Sequence, residues 1–304
     1  MIKREFKQFD WDKEVDRDCR AIVRLAIAED LADAQDWTSV ALVPADRQGA
    51  ANVVTRESGV VAGMKAISTV IEEMSANLTA EFAAEDGDAV KAQARLVTLR
   101  GNVRDVLTVE RTLLNLVSRL MGVATLANRF ASEVRGTAAQ VYDTRKTTPG
   151  WRRLEKYAVH CGGAANHRMG LYDAILIKDN HLAQRGRQAY DVAEAVRDAQ
   201  TFVEQRDDLQ GMVVQVEVDT LAQLEDVLPA RPDIVLLDNM EPALLIRAVT
   251  LRDKQAPEVQ LEASGGVDLQ TVREIAMTGV ERISVGALTH SACSLDIGLD
   301  WHAE

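Results

Sequence analysis

The chain changes rhythm near residue 138. Before it, apolar positions recur mostly at helical spacing, with short alternating stretches between. After it, short uninterrupted apolar runs take turns with helix-period segments. The first helical pattern covers 12–31, where Val15, Cys19, Ile22, Val23 and Ala26 share a face. Residues 51–63 read as two strands about a turn at Glu57-Ser58-Gly59, and 89–99 alternates again after Asp86-Gly87-Asp88. This mixture predicts a small α+β domain over roughly the first 105 residues. A longer helix follows, with Asp105 as its expected N-cap and Val106, Val109, Leu113, Leu116, Leu120 and Val123 as its buried stripe. Gly122 is where that helix should bend or end. Arg111, Asn115 and Ser118 fall on the opposite face, for which periodicity alone predicts solvation.

The later runs are 138–142, 174–177, 212–218, 234–237, 259–261 and 282–285. Continuous apolar character is the mark of strands buried on both faces of a parallel sheet. Segments 191–206, 220–228 and 269–278 supply crossover helices. Six β/α units within about 155 residues favour a barrel over an open sheet. No apolar run approaches the ~18 residues of a membrane span, and Met1-Ile2-Lys3-Arg4-Glu5-Phe6 lacks the apolar stretch of an export signal. Cys19, Cys161 and Cys293 are far apart and odd in number, so a reduced, cytoplasmic setting is expected.

Charge sharpens the picture. A net charge of −12 argues against a nucleic-acid surface. Yet between Asp143 and Asp179 seven basic residues (Arg145, Lys146, Arg152, Arg153, Lys156, Arg168, Lys178) face only four acids (Asp143, Glu155, Asp173, Asp179). His160 and His167 fall there too, with His181 just beyond. An acidic protein that gathers cations in one stretch is built to bind a small anion there. Arg152, Arg153 and Lys156 stand at helical spacing and read as a wet helix face, while His160 and His181 read as local hydrogen-bonding residues. Scattered histidines and an isolated Cys161 argue against zinc.

In β/α barrels the strand ends carry the chemistry, because the βα loops converge on one opening. The first run ends in Asp143-Thr144-Arg145-Lys146 and the second in Lys178-Asp179-Asn180-His181. The third carries Glu217 and Asp219, and the fourth Asp238-Asn239. Arg145, Lys146, Arg168 and Lys178 combine forks and point charges suited to carboxylates or a pyrophosphate, and His167 is placed to donate to a carboxylate. Glu217 and Asp238 suit magnesium or ribose hydroxyls. The last two runs end in glycine turns, Glu262-Ala263-Ser264-Gly265-Gly266 and Ser284-Val285-Gly286-Ala287, and Asp268 is expected to cap a helix. Such turns let backbone N–H groups approach a phosphate.

These motifs resemble a known family. Asp143-Thr144-Arg145-Lys146-Thr147-Thr148-Pro149-Gly150, Leu154-Glu155-Lys156-Tyr157, Cys161-Gly162-Gly163, Asn166-His167-Arg168-Met169-Gly170-Leu171-Tyr172-Asp173 and Ile177-Lys178-Asp179-Asn180-His181 are similar to the central signature of quinolinate phosphoribosyltransferases. Glu110-Arg111-Thr112 with Asn115, Glu217-Val218-Asp219, Leu237-Asp238-Asn239-Met240, the Ser-Gly-Gly turn and Ser284–His290 extend the likeness over roughly residues 20–300. It departs at Ala32-Asp33-Ala34-Gln35-Asp36-Trp37-Thr38, which lacks the family's glycine, and at His160, where arginine is frequent.

The resemblance implies an α/β fold: an N-terminal α/β sandwich domain plus an incomplete parallel α/β barrel, type II phosphoribosyltransferase-like. Domains are expected at 1–120 and 121–290, with a tail at 291–304 returning to the first. The implied reaction moves phosphoribosyl from phosphoribosyl pyrophosphate to quinolinate with decarboxylation and with Mg2+, yielding nicotinate mononucleotide for NAD synthesis. Arg145, His167, Arg168 and Lys178 would hold the quinolinate carboxylates, with Thr144 beside them and Lys146 at the pyrophosphate boundary. Glu217 and Asp238 would meet the ribose hydroxyls and the metal; with Lys146 and Lys178 they form the expected catalytic set. Ser264, Gly265, Gly266, Val285, Gly286 and Ala287 would hold the 5′-phosphate, with His290 nearby. Arg111 would complete a neighbouring subunit's site in a homodimer or hexamer of dimers. Rivals are a Schiff-base aldolase using Lys178, a non-catalytic anion binder, and a paralogous enzyme acting on another aromatic acid.

Overall fold

A computed structural model describes residues 4–184 and 191–302. Residues 1–3 of the stretch read above for an export signal, and 303–304 of the expected tail, lie outside them. In chain order the first elements are α1 (Lys13–Leu31), α2 (Trp37–Leu42), β1 (Gln48–Thr55), β2 (Gly59–Val60), α3 (Met64–Glu73), β3 (Leu78–Phe82), β4 (Ala89–Val90), β5 (Arg95–Asn102) and α4 (Val103–Glu133). Then come β6 (Gln140–Tyr142), α5 (Arg152–Cys161), β7 (Ala174–Ile177), α6 (Asp179–Ala183), α7 (Val192–Glu204), β8 (Val213–Val218), α8 (Leu221–Val227) and β9 (Ile234–Asp238). The remainder are α9 (Pro242–Gln255), β10 (Gln260–Ser264), α10 (Val272–Ala276), β11 (Arg282–Ser284), α11 (Ala287–His290) and β12 (Ile297–Trp301).

Two compact units share these elements. One gathers Phe9–Asn128, Lys146–Gly163 and Leu288–Glu304; the other gathers Met1–Gln8, Arg129–Arg145 and Ala164–Ala287. Contiguous limits at 120 and 290 therefore differ from the observed division. Helix α4 runs straight through residue 120, and residues 4–8 join the later strands. Among the described residues no helix is long and apolar enough to cross a membrane.

In the first unit, β12-β1-β5-β3 form an antiparallel sheet, in which the tail strand β12 pairs with β1 from Ala51↔Trp301 to Thr55↔Ile297. Strand β3 carries Thr79 and Glu81 at the sheet edge, so no apolar run marks it in the sequence. Asp12 caps α1 by accepting from the N–H groups of Glu14 and Val15 at 2.9 and 3.0 Å, and Val15, Cys19 and Val23 are its buried face. Ala32, standing in the stretch that lacks the family's glycine, ends α1 at a φ of 49°. Asp36 then caps α2 through the N–H groups of Thr38 and Ser39, both at 3.0 Å.

Three expectations need correction in this unit. The N-terminus of α4 is capped by Asn102, whose Oδ1 accepts from Arg104 N–H at 2.9 Å; Asp105 instead accepts from Asn77 N–H at 2.8 Å. Nor does Gly122 break the helix. A Cβ there would stand 1.9 Å from the Cys293 carbonyl oxygen, so the glycine serves a close backbone crossing. Gly122→Ala is therefore expected to destabilise the protein by about 1–3 kcal/mol through overpacking; an unchanged urea midpoint would contradict it. Finally, Arg153 and Lys156 are no wet face. Lys156 is fully buried, and Arg153 pairs with Asp18 at 2.8 Å and Glu14 at 3.0 Å.

The second unit is built on a six-stranded parallel sheet in the order β6-β11-β10-β9-β8-β7. Its strands match the continuous apolar runs because helices cover one face and the barrel interior takes the other. Register rows link Glu217, Leu236, Glu262, Arg282 and Gln140, so these side chains point to the same, inward side. Strands β6 and β7 are the edges. Beside β6 runs a strand-like segment in which Ala165 bridges Tyr142 in parallel sense. Phe6, buried against Ala174, Val213 and Ile234, packs at the starting ends of β7, β8 and β9. The chemistry is thus left to the opposite, finishing ends.

Candidate active site

Each unit is built separately around its own polar groups. In the parallel-sheet unit, Asp143 follows β6 and is fully buried. Its carboxylate accepts from Asn166 Nδ2 and from the His167 N–H, both at 2.8 Å. This ties the segment Asn166-His167-Arg168 to the end of the first strand. Arg168 is buried, donating from Nη1 to the Ala174 carbonyl at 3.0 Å. Burial pushes its guanidinium pKa below the ordinary arginine value, and the positive charge of Arg145 pushes the same way, with Asp173 opposing. Two guanidinium groups held within reach of each other's field cost free energy that an anion would offset.

Lys178 caps α6 just after β7, and His181 Nδ1 accepts its N–H at 3.0 Å, which makes His181 a local hydrogen-bonding residue as expected. The Lys178 ammonium is in ion-pair contact with Glu217 on the neighbouring strand β8. Asp238 ends β9, paired in register with Ser264 at the end of β10. Asn239 follows with a φ of 52°, its N–H donating to the Ser264 carbonyl at 2.8 Å and its Nδ2 to Asp238 at 2.7 Å. Gly265 and Gly266 then adopt φ of 97° and 62°, as the tight turn requires. A Cβ on Gly265 would strike Asn239 Oδ1 at 2.1 Å, whereas space in front of Gly266 is open. Asp268 caps the next turn, accepting from Gln270 and Thr271 N–H at 2.8 and 2.9 Å, ahead of α10. Val285 donates its N–H to the Tyr142 carbonyl at 2.8 Å, so Gly286 and Ala287 leave β11 beside the end of β6. The ends of β6 through β11 therefore carry Thr144, Arg145, Arg168, Lys178, Glu217, Asp238, Ser264, Gly265, Gly266, Val285, Gly286 and Ala287.

Three anticipated site residues belong to the other unit: Arg111, Lys146 and His290. Lys146 accepts through its carbonyl from Thr289 Oγ1 at 2.8 Å. The arrangement there is held by Arg119, which the sequence reading missed. Arg119 donates to Glu155 Oε1 at 2.6 Å and to the carbonyls of Thr289 and Ala292 at 2.5 Å. Glu155, fully buried, also accepts from Thr148 N–H at 3.0 Å. One ion pair thus orders both the loop after Lys146 and the turn containing His290. His290 Nδ1 lies 2.7 Å from Ser291 Oγ. Arg111 lines a cavity of about 380 Å³ with Glu29, Asp30, Asn115 and Trp151, so its face of α4 is hollowed and not merely solvated.

Relatives of known kind fit this geometry. The family model described as quinolinate phosphoribosyl transferase, C-terminal domain, matches residues 123–300, and its N-terminal counterpart matches 36–121. The nicotinate-nucleotide pyrophosphorylase (carboxylating) of Mycobacterium leprae is 43% identical over 283 residues, covering 92% of this chain and 96% of that one. The chloroplastic protein of the same name from Arabidopsis thaliana is 37% identical over 294 residues, covering 93% and 82%. Among solved structures, the nicotinate-nucleotide pyrophosphorylase of Francisella tularensis superposes with a TM-score of 0.88 at 36% identity, covering 98% of this chain and 100% of that one.

Proposed function

This chain belongs to the quinolinate phosphoribosyltransferase family, and from that premise we infer how its own residues carry the reaction. It transfers the phosphoribosyl group of phosphoribosyl pyrophosphate to the ring nitrogen of quinolinate, with decarboxylation. The products are nicotinate mononucleotide, pyrophosphate and carbon dioxide, a step of NAD biosynthesis. The observation that carries the assignment of the acceptor site is the buried Arg168, whose segment Asp143 ties to the end of β6 through Asn166 Nδ2 and the His167 N–H, with Arg145 two residues beyond Asp143. Arg145, Arg168 and Lys178, with Thr144 alongside, would receive the two carboxylates, and His167 would hold the backbone that carries Arg168. Lys146, next in the chain, would serve the boundary with pyrophosphate. The glycine turns at Ser264-Gly265-Gly266 and Val285-Gly286-Ala287 would take the 5′-phosphate.

Both substrates are polyanions that repel each other wherever water is excluded, and fixed cations offset that cost before reaction begins. Positioning supplies much of the remaining rate. As pyrophosphate leaves, C1 of the ribose acquires oxocarbenium character, and the ring nitrogen attacks from the opposite face. The resulting pyridinium draws in the electron pair of the bond to the 2-carboxylate, carbon dioxide departs, and C2 takes a proton. A Schiff-base route through Lys178 does not fit, because an ammonium ion-paired with Glu217 has no lone pair to offer a carbonyl.

Glu217 and Asp238, carboxylates at the ends of adjacent strands, suit magnesium. Two protein oxygens are few for this ion, which commonly completes its shell with water and substrate phosphates. When bound it would neutralise charge on the departing pyrophosphate. Without a metal the same carboxylates would still meet the ribose hydroxyls. Release of labelled carbon dioxide from quinolinate, dependent on the phosphoribosyl donor and on magnesium, tests this reading; nicotinate in place of quinolinate should give no product.

The working unit would be a homodimer at least, with Arg111 of one protomer serving its neighbour. The cavity that Arg111 shares with Glu29, Asp30, Asn115 and Trp151 supports this, since it leaves room beside the guanidinium for a ligand or a neighbouring chain. Equal mixing of inactive Arg111→Ala and Lys178→Ala chains should restore about a quarter of wild-type activity, since half the dimers regain one complete site. No recovery despite subunit exchange would rule the shared site out. A reduced cytoplasmic location is supported by three free cysteines, with burial pushing the thiols of Cys19 and Cys161 up to about 12 and leaving them inert.

A further inference from the structure

The roles assigned above leave out one carboxylate that the barrel interior holds in full burial. Glu262, in β10, shares an inward row with Glu217 and Arg282. Its Oε2 accepts from Arg282 Nε at 3.0 Å, and its Oε1 lies 3.3 Å from His167 Nε2. Oε1 has no well-formed hydrogen bond from any described group. A buried carboxylate oxygen needs a donor, and Nε2 is the polar atom set against it. The main chain decides the other ring nitrogen. Nδ1 accepts the N–H of Arg168 at 2.9 Å, and a nitrogen that accepts carries no proton. The ring is therefore neutral, with its proton on Nε2 facing Glu262.

Such a ring keeps no N–H for a substrate carboxylate, and only 7% of its side chain is exposed. What it does hold is the backbone of Arg168. The same segment is gripped from the N-terminal residues. Phe6 stacks on the His167 ring with centroids 4.3 Å apart, and Gln8 accepts from Asn166 N–H at 2.7 Å and donates to its carbonyl at 3.2 Å. Glu5 pairs with Arg282 at 2.6 Å and accepts from the Tyr142 hydroxyl at 3.0 Å. Arg282 stacks in turn over Tyr142 at 3.6 Å and Phe6 at 5.0 Å.

We propose that Glu262 is a positioning residue for the aromatic-acid site: it fixes His167 as the Nε2–H tautomer, whose Nδ1 anchors Arg168, while residues 5–8 clamp the same segment from the N-terminus. His167 then acts through Arg168 and does not touch the acceptor, which narrows the role that the family resemblance implies for it. The inference rests on the reading that Arg168 meets an acceptor carboxylate. Outer partners that orient metal-binding histidines change affinity by about 10–100-fold, and loss of a partner that orients Arg168 is expected to act on the same scale.

Two measurements on the intact enzyme test it. Long-range proton–nitrogen NMR of the histidine-labelled protein, with His167 assigned through its loss in His167→Gln, should show a pyrrole-like Nε2 and a pyridine-like Nδ1, unchanged on adding quinolinate. A protonated Nδ1, or an Nε2 signal that moves on quinolinate binding, overturns the proposal. Glu262→Gln risks misfolding, so the kinetic arm uses Phe6→Leu, which keeps apolar bulk and removes the stacked ring. The KM for quinolinate should rise about tenfold, with kcat and the KM for phosphoribosyl pyrophosphate within about twofold of wild type. An unchanged quinolinate KM, or equal rises in both, overturns it. If the wild-type enzyme does not turn over quinolinate at all, the functional reading fails, and the NMR result still decides the tautomer.

Discussion

Arg145→Ala should lower kcat/KM for quinolinate by about 10²–10³-fold while leaving the far-ultraviolet circular dichroism unchanged. The side chain is exposed, so its removal costs the fold little. Its electrostatic consequence is large, because it shares a field with the buried Arg168. Losing one of two neighbouring cations leaves an incoming dicarboxylate half compensated in a site where water screens poorly. Arg145→Lys should recover only a small part, since an ammonium cannot reproduce a two-pronged grip on a carboxylate. Competition by a dicarboxylate inhibitor should weaken in parallel. Wild-type kinetics in Arg145→Ala would remove the acceptor site from this end of the strands.

Glu262→Ala should destabilise the protein by about 3–5 kcal/mol, because it strands the Arg282 charge in a fully buried position. Glu5 remains as a partner for Arg282, so the loss should sit towards the lower end. Burial by itself raises the Glu262 pKa, but the Arg282 guanidinium and the N–H of His167 outweigh it and hold it below the usual carboxylate range. A carboxylate whose folded pKa lies below its unfolded value contributes stability that is fully present above the unfolded pKa. That contribution disappears as pH falls towards the folded value. The difference between wild-type and Glu262→Ala urea midpoints should therefore be constant above about pH 5 and shrink as pH falls below it. Replacing both Glu262 and Arg282 by apolar residues should cost less than Glu262→Ala alone, since no orphaned charge is left behind. A difference independent of pH would show that folding leaves the Glu262 pKa unshifted, and one that grows as pH falls would show that the carboxyl is not ionised inside the barrel.

The parallel strands were legible because each is buried on two sides and spells an apolar run; 174–177 and β7 coincide. The strand-end chemistry was legible for the same reason, each motif beginning where a run stops. Less visible was whatever depends on partners distant in sequence. Ala164 to Arg168 contains no apolar run, yet lies along β6 as a strand-like edge through the Tyr142–Ala165 bridge. Glu262 reads as the start of a glycine turn, yet it lies inside β10, and only the register shows that it faces Arg282. Arg119 was hidden in the polar face of α4, because nothing local connects it to Glu155. Gly122 misled for a related reason: its close neighbour, Cys293, comes from the far end of the chain.

Glu5 and Arg282 are 277 positions apart, and the contact between them helps to hold the segment that carries Arg168. At ribosomal speeds of about 5–20 residues per second, roughly 14–55 seconds of synthesis separate the two. That contact therefore cannot form until Arg282 has been made, and the segment carrying Arg168 would take its final set only after that point in synthesis. Turnover of quinolinate would then report completed folding more strictly than secondary-structure content does.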